Sequence, residues 1–270
     1  MAKRRRNSPV ERPLTPAVLK ELGALGQCPE PDAAFKPEGP WTHRYRIWTC
    51  YGHTARGNRN VGTLRIQRHA PGAVELISLE CERAILNVQG VVNRVLAKLS
   101  CTVDRLATPL AWTLTSQLTR GGKPLDGLAT REDVFVQNRR LVFQFGGREF
   151  GRPISGPLTA DWCLFEAVQR LPFRAAKPLT FDLLEGLSLL KRGQRLLYRG
   201  AQAVAWGGKS LRLHAFEQDG HGVLPYVYWL DDTHRLLLVE TGPRAYIFDD
   251  RADRVLANAG TPRARKGSRK

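Results

Sequence analysis

Between Ser210 and Asp250 four strand-length runs, SLRLHAFE, VLPYVYWLD, RLLLVE and AYIFDD, are separated by QDGHG, DTH and TGPR. The runs are rich in β-branched, aromatic and aliphatic residues, and the connections hold the Gly, Asp and Pro that turns require. The segment therefore predicts an antiparallel meander. A chain with four consecutive strands of this kind needs a sheet in which each finds a neighbour and buries one face.

The period of two recurs upstream. HRYRIWTCYGH sets Tyr45, Ile47, Thr49 and Tyr51 against Arg46, Trp48 and Cys50, and VGTLRIQRH sets Leu64 and Ile66 against Arg65 and Gln67. AVELISLECE, RVLAKLSCTVD and LAWTLTSQL continue it, and DVFVQ–NRR–LVFQF predicts a hairpin with a three-residue connection. One helix interrupts. Thr159 is placed to cap ADWCLFEAVQRL, where Trp162, Phe165 and Val168 recur at helical spacing and Pro172 stops the run. LTFDLLEGL and QRLLYRGAQAVAW predict a further strand pair. Near the start, Thr15 and Pro16 open a short helix, and the proline-rich CPEPDAAFKPEGP follows it. The expected division is a basic arm over 1–16, a helix and loop over 17–40, one antiparallel β domain over 41–250 with a helix near 160–171, and a basic tail over 251–270.

The 270 residues carry a net charge of +17, much of it at the ends. Residues 1–12 hold net +4 and residues 261–270 hold +5. Arg4, Arg5 and Arg6, with Arg263, Arg265 and Lys266, are thus candidate contacts to a polyanion, either nucleic acid or an anionic membrane surface. No apolar run approaches the ~18 residues of a membrane-spanning helix. Lys3–Arg6 is followed by the polar, proline-broken NSPVERPLTP and not by the apolar core of an export signal. The expected location is cytoplasmic as written, and the periplasm or cell envelope if translation starts elsewhere.

Motifs that would fix a reaction are absent. Five scattered cysteines with no C-x-x-C pair read as core thiols. His214, Glu217 and His221 form an H-x-x-E-x-x-x-H string, but on a strand His214 and Glu217 point to opposite faces, which a metal site does not allow. Asp231 and Asp232 fall where a turn is expected, and Asp favours turns for its own backbone hydrogen bonds. Gly121–Gly122–Lys123 and Gly207–Gly208–Lys209 read as hairpin turns, because no helix follows them as a phosphate loop needs. The expectation is no catalytic residue, no metal and no cofactor. A hydrolase or metal enzyme using His214, His221, Asp231 or Asp232 is the catalytic alternative.

The order of elements resembles the LolA/LolB-like unclosed β-barrels and related uncharacterised bacterial domains. The residues that carry the resemblance are Pro225 before a strand, the Trp229–Leu230–Asp231 step, and the closing RLLLVE and AYIFDD. The resemblance implies a mainly β (α+β) fold: a strongly curved antiparallel sheet or open half-barrel, with one or two helices on its concave side. It further implies a non-catalytic binding or carrier protein for an apolar small molecule, a lipid or a lipidated partner. Candidate lining residues are Trp48, Leu64, Ile66, Leu79, Trp112, Phe143, Trp229 and Leu237. The rival reading is a nucleic-acid-associated protein acting through its arginine-rich tails.

Overall fold

Local turn chemistry writes most of the topology. Gly207 and Gly208 adopt φ of +55° and +83°, and Asn138 and Arg139 adopt +49° and +57°. Both are two-residue turns whose twist matches antiparallel strands. The second corrects the expected three-residue connection: Arg140 already belongs to the next strand. The molecule is a computed structural model that describes residues 14–30, 34–49, 59–70, 75–87, 89–174 and 177–252. Arg4, Arg5, Arg6, Arg263, Arg265, Lys266 and Cys50 lie outside the described residues.

After the short helix α1 (Pro16–Glu21) come β1 (Trp41–Thr49), β2 (Arg59–Arg68), β3 (Leu76–Leu86) and β4 (Val91–Thr102). They continue through β5 (Pro109–Arg120), β6 (Lys123–Gln137), β7 (Arg140–Phe145) and β8 (Arg148–Pro153). Then follow β9 (Leu158–Ala160), α2 (Asp161–Ala167) with a 3-10 turn over Val168–Arg170, β10 (Leu179–Glu185) and β11 (Leu189–Trp206). The predicted meander closes the chain as β12 (Lys209–Asp219), β13 (Tyr226–Leu230), β14 (Leu236–Thr241) and β15 (Arg244–Phe248).

Among the described residues all fifteen strands join one sheet in the order β8-β7-β6-β5-β4-β3-β2-β1-β15-β14-β13-β12-β11-β10-β9. Every pairing is antiparallel except β9 with β10, which α2 crosses over to make parallel. Two meanders thus meet where β1 pairs with β15, Tyr45 opposite Phe248. The curvature follows from chain length. A flat sheet of fifteen strands would hold its outer strands roughly 67 Å apart at ~4.8 Å per strand. Yet β8 ends at Pro153 and β9 begins at Leu158, a reach of at most about 18 Å. The sheet must curl until its two edges nearly meet. Bulges at Ile47–Trp48, Ser100–Cys101 and Tyr198–Gly200 help it bend. The linker also ties the edges together: Ser155 Oγ donates to Asp182 Oδ2 at 3.0 Å, and the Asp182 amide donates to the Pro157 carbonyl at 2.7 Å.

Helix α2 fills the bowl. Trp162, Cys163, Leu164, Phe165, Glu166 and Ala167 are all buried, as expected of a helix surrounded on every side. Phe165 meets Tyr45, Tyr228 and Tyr246 edge-on at 5.5, 6.0 and 5.5 Å. Thr159 does not cap it. Its hydroxyl donates to the Leu106 carbonyl at 2.6 Å, and Asp161 accepts from the Trp162 amide instead. Gly62 shows how tightly the wall is built, since a Cβ there would lie 2.1 Å from the Ala84 carbonyl oxygen.

The convex side is also covered. Pairing sets Arg46 against Ile247, on the face opposite Tyr45 and Phe248. The segment 14–30 lies over that face, with Thr15 capping α1 through the Val18 amide as expected. The Leu14 amide donates to Gly242 O, the Gly207 amide to Leu25 O, and Trp206 Nε1 to Pro29 O. Arg46 pairs with Asp249 at 2.9 Å and donates to Ala24 O at 3.1 Å. One helix is thus concave and the other convex. Cys28, Cys81, Cys101 and Cys163 are buried free thiols, as expected.

Glu240 on β14 is 7% exposed, and burial pushes its carboxyl up to about 8 while the Trp229 indole pulls the other way. The folded protein keeps a proton that the unfolded chain releases above its ordinary value of 4.5. Stability from this group is therefore fullest below pH 4.5 and falls as pH rises toward about 8. The slope reaches about 1.4 kcal/mol per pH unit. Urea melts at stepped pH should show this decline, and Glu240→Gln should flatten it.

Candidate functional site

The start of β1 places Trp41, His43 and Tyr45 at a period of two on the concave face, where Phe248 stands opposite Tyr45. His43 stacks on Trp41 with centroids 4.4 Å apart and meets Phe35 and Phe248 at 5.1 and 5.4 Å. The β13–β14 turn brings Arg235 across this group, its guanidinium 4.8 Å from the Phe35 centroid and 5.8 Å from that of Phe248. Asp231 builds that turn: its Oδ1 accepts from the Thr233 amide, the Thr233 hydroxyl and the Arg235 amide at 2.9, 2.6 and 2.9 Å. The loop over Phe35 is held by Trp41 Nε1 donating to Pro37 O at 3.1 Å, and by Arg68 reaching the carbonyls of Glu38 and Gly39.

These side chains line a cleft of about 450 Å³ at the mouth of the bowl, with Lys36 and Asp250 on its rim. Burial, reinforced by the Arg235 charge, pushes the His43 imidazole down to about 3, so it is neutral at physiological pH. The Tyr45 hydroxyl donates to Leu236 O at 3.1 Å and accepts from His43 Nδ1 at 3.3 Å, which fixes the tautomer. The cleft thus sets aromatic rings beside Arg235, with polar backbone and the charged Lys36 and Asp250 around them. It can bind an apolar body and orient a negative group.

A second cluster lies beside it. Phe173 is sandwiched between His214 and His234, with centroids 3.7 and 3.8 Å away and planes within 3° and 6°. His214 Nε2 donates to Asp232 Oδ1 at 2.8 Å, and Nδ1 shares a hydrogen bond with the Tyr198 hydroxyl, also at 2.8 Å. Burial lowers the affinity of His234 for a proton, and neighbouring His214 adds to this.

Of the residues considered for catalysis, the structure brings His214 and Asp232 together and leaves Asp231 in its turn. His221 is exposed in the β12–β13 connection, where its carbonyl accepts from Gln194 Nε2. Among the described residues no three His, Cys, Asp or Glu side chains are grouped as a metal site would need.

Leu64, Ile66, Leu79, Trp112, Phe143 and Leu237 all lie in the buried cluster shared with α2. Trp229 belongs to the same buried cluster and Trp48 packs against it, but from the other side of the sheet. Trp48 pairs with Ala245 and Trp229 with Leu238, both on the convex face. Reading the sequence missed Phe35, His43, Arg235 and Phe248, as well as Tyr198, Phe173 and His234. The alternation of β1, extended back from Tyr45, would have found His43 and Trp41. Arg235 follows a turn and carries no local signal.

One curled sheet with two outer strands, β8 and β9, defines a mainly β protein of the unclosed-barrel class. No protein-family model matches the chain, and no curated protein matches it. Among solved structures, it is similar to a β-barrel-like protein of domain of unknown function DUF1849 from Brucella abortus. The two share 8% identity with a TM-score of 0.49, over 78% of this chain and 95% of that one. No helix among the described residues is long and apolar enough to cross a membrane.

Proposed function

We propose that this chain is a non-catalytic binding protein whose ligand is an apolar chain bearing a negative group, seated at the aromatic mouth of the bowl. The observation that carries this reading is the cleft of about 450 Å³ beneath Phe35, Trp41, His43 and Phe248, with Arg235 across it. Its size falls in the range of ligand pockets, ~300–1,000 Å³, and aromatic rings beside a cation can seat an apolar body and orient a negative group. The deeper residues Leu64, Ile66, Leu79, Trp112, Phe143 and Leu237 pack with α2. A ligand reaches them only where α2 yields, so the mouth is the primary seat.

Burying six or seven methylenes at about 0.8 kcal/mol each gives a Kd on the order of 0.1 mM. Displacement of a fluorescent fatty acid by dodecanoate should show binding of that order, with dodecanol weaker because it offers Arg235 no charge. Phe35→Ala should weaken dodecanoate about fivefold or more, and Arg235→Gln should erase the preference over dodecanol. Failure of both compounds to displace the probe, or indifference to both substitutions, would overturn the reading.

A further inference from the structure

The sheet ends at β8, and all six of its residues are exposed. A two-residue turn at Gly146 and Gly147, with φ of +57° and +74°, closes the β7–β8 hairpin at Phe145 opposite Arg148. In such a hairpin the closing pair exchanges backbone hydrogen bonds, and alternate pairs follow. Arg148, Phe150 and Arg152 therefore direct their amides and carbonyls into β7. Ile154 keeps the same parity, its amide donating to Arg139 O at 2.9 Å. Glu149 and Gly151 direct theirs outward, and Pro153, lacking an N–H, ends the usable edge.

A strand arriving antiparallel would bond to Glu149 and Gly151. It would face Arg148, Phe150 and Arg152 at the non-hydrogen-bonded positions, where opposed side chains come closest. Those three share the concave face with Phe143 and Phe145. Phe150 stacks flat on Phe143 at 4.9 Å, and the Arg152 guanidinium lies 5.6 Å from the same ring. Phe145 and Phe150 remain 44% and 47% exposed. The edge thus presents cation, aromatic and cation at alternate positions, Arg152 also donating from Nη1 to Ser188 O at 3.1 Å.

We propose that β8 receives an extended acidic segment of another protein as a sixteenth strand, with the pattern acid–x–apolar–x–acid. Charge selects this occupant. A second copy, paired to keep the concave faces continuous, would set Arg148 against Arg152 twice, and like charges directly opposed destabilise a pair. Residues 1–12 and 261–270 of the chain carry +4 and +5 and would be repelled likewise. An acidic strand meets both arginines and lays its central apolar side chain on Phe150. Main-chain bonds supply affinity and the alternate side chains supply choice.

The test uses the full chain and a labelled peptide, Thr-Glu-Thr-Val-Thr-Glu-Thr, read by fluorescence anisotropy. Binding should be at least tenfold tighter than for the peptide with lysine in place of both glutamates, and should weaken with salt. The protein carrying Arg148→Glu and Arg152→Glu should reverse that preference. N-methylation of the peptide amides that face β8 should abolish binding, while methylation of the alternate amides should leave it intact, a readout that does not perturb the protein. Equal binding of acidic and basic peptides, indifference to N-methylation, or a dimer of the chain dissolved by Arg148→Glu would each overturn the proposal.

Discussion

Glu166→Ala is expected to cost about 3–5 kcal/mol of stability, the size of effect seen when one partner of a buried ion pair is removed. The carboxylate is fully buried and receives Arg68 Nε at 3.2 Å, Arg170 Nε at 2.7 Å and Arg170 Nη2 at 3.0 Å. Arg68 is itself only 7% exposed and also holds the carbonyls of Glu38 and Gly39. Without Glu166 its charge stays buried with only neutral acceptors beside it. Urea unfolding should show the midpoint drop with little change in slope. Glu166→Gln should lose less, because its amide oxygen still accepts. The pair Glu166→Ala and Arg68→Met should recover part of the loss. A cost below about 1 kcal/mol would mean the cluster is not the anchor its geometry indicates.

Phe165→Ala is expected to cost about 3–5 kcal/mol as well, for a different reason. The ring is 2% exposed and has three tyrosine rings edge-on around it. Alanine removes the transfer energy of the ring and leaves a hollow that surrounding strands, fixed by their ladders, cannot close. The three lost aromatic pairings, worth about 0.5–1.5 kcal/mol each, place the cost toward the upper end of that range. Phe165→Leu should cost clearly less, since it refills much of the space. Were the alanine variant as stable as the parent, the sheet would owe little to its filler.

What could be read from the sequence was what is written locally. The meander from Ser210 to Asp250 is found as expected, because its turns contain their own instructions, down to Asp231 accepting three hydrogen bonds from the residues after it. Thr15 likewise caps the first helix. Three features were not legible. The pairing of β1 with β15 joins residues about two hundred positions apart and leaves no mark in either strand beyond alternation. The convex layer of residues 14–30 was hidden because Trp48 and Trp229 look the same whether they face a hollow or a covering segment. The cluster around His214 was legible only in Asp232, because Tyr198, Phe173 and His234 come from a neighbouring strand and from loops, not from the string containing Glu217 and His221.

The seam where Tyr45 lies beside Phe248 also governs how the molecule is made. Strands β1 to β8 can zip together as they leave the ribosome, each against the one before it. The other flank of β1 has to wait for the last strand, about two hundred residues later, and until then it offers a bare hydrogen-bonding ladder to any passing chain. Such distant closure is slow. Crowded, rapid synthesis is where this protein is most exposed to mispairing, and a holdase that shelters Trp41–Thr49 is what its topology calls for.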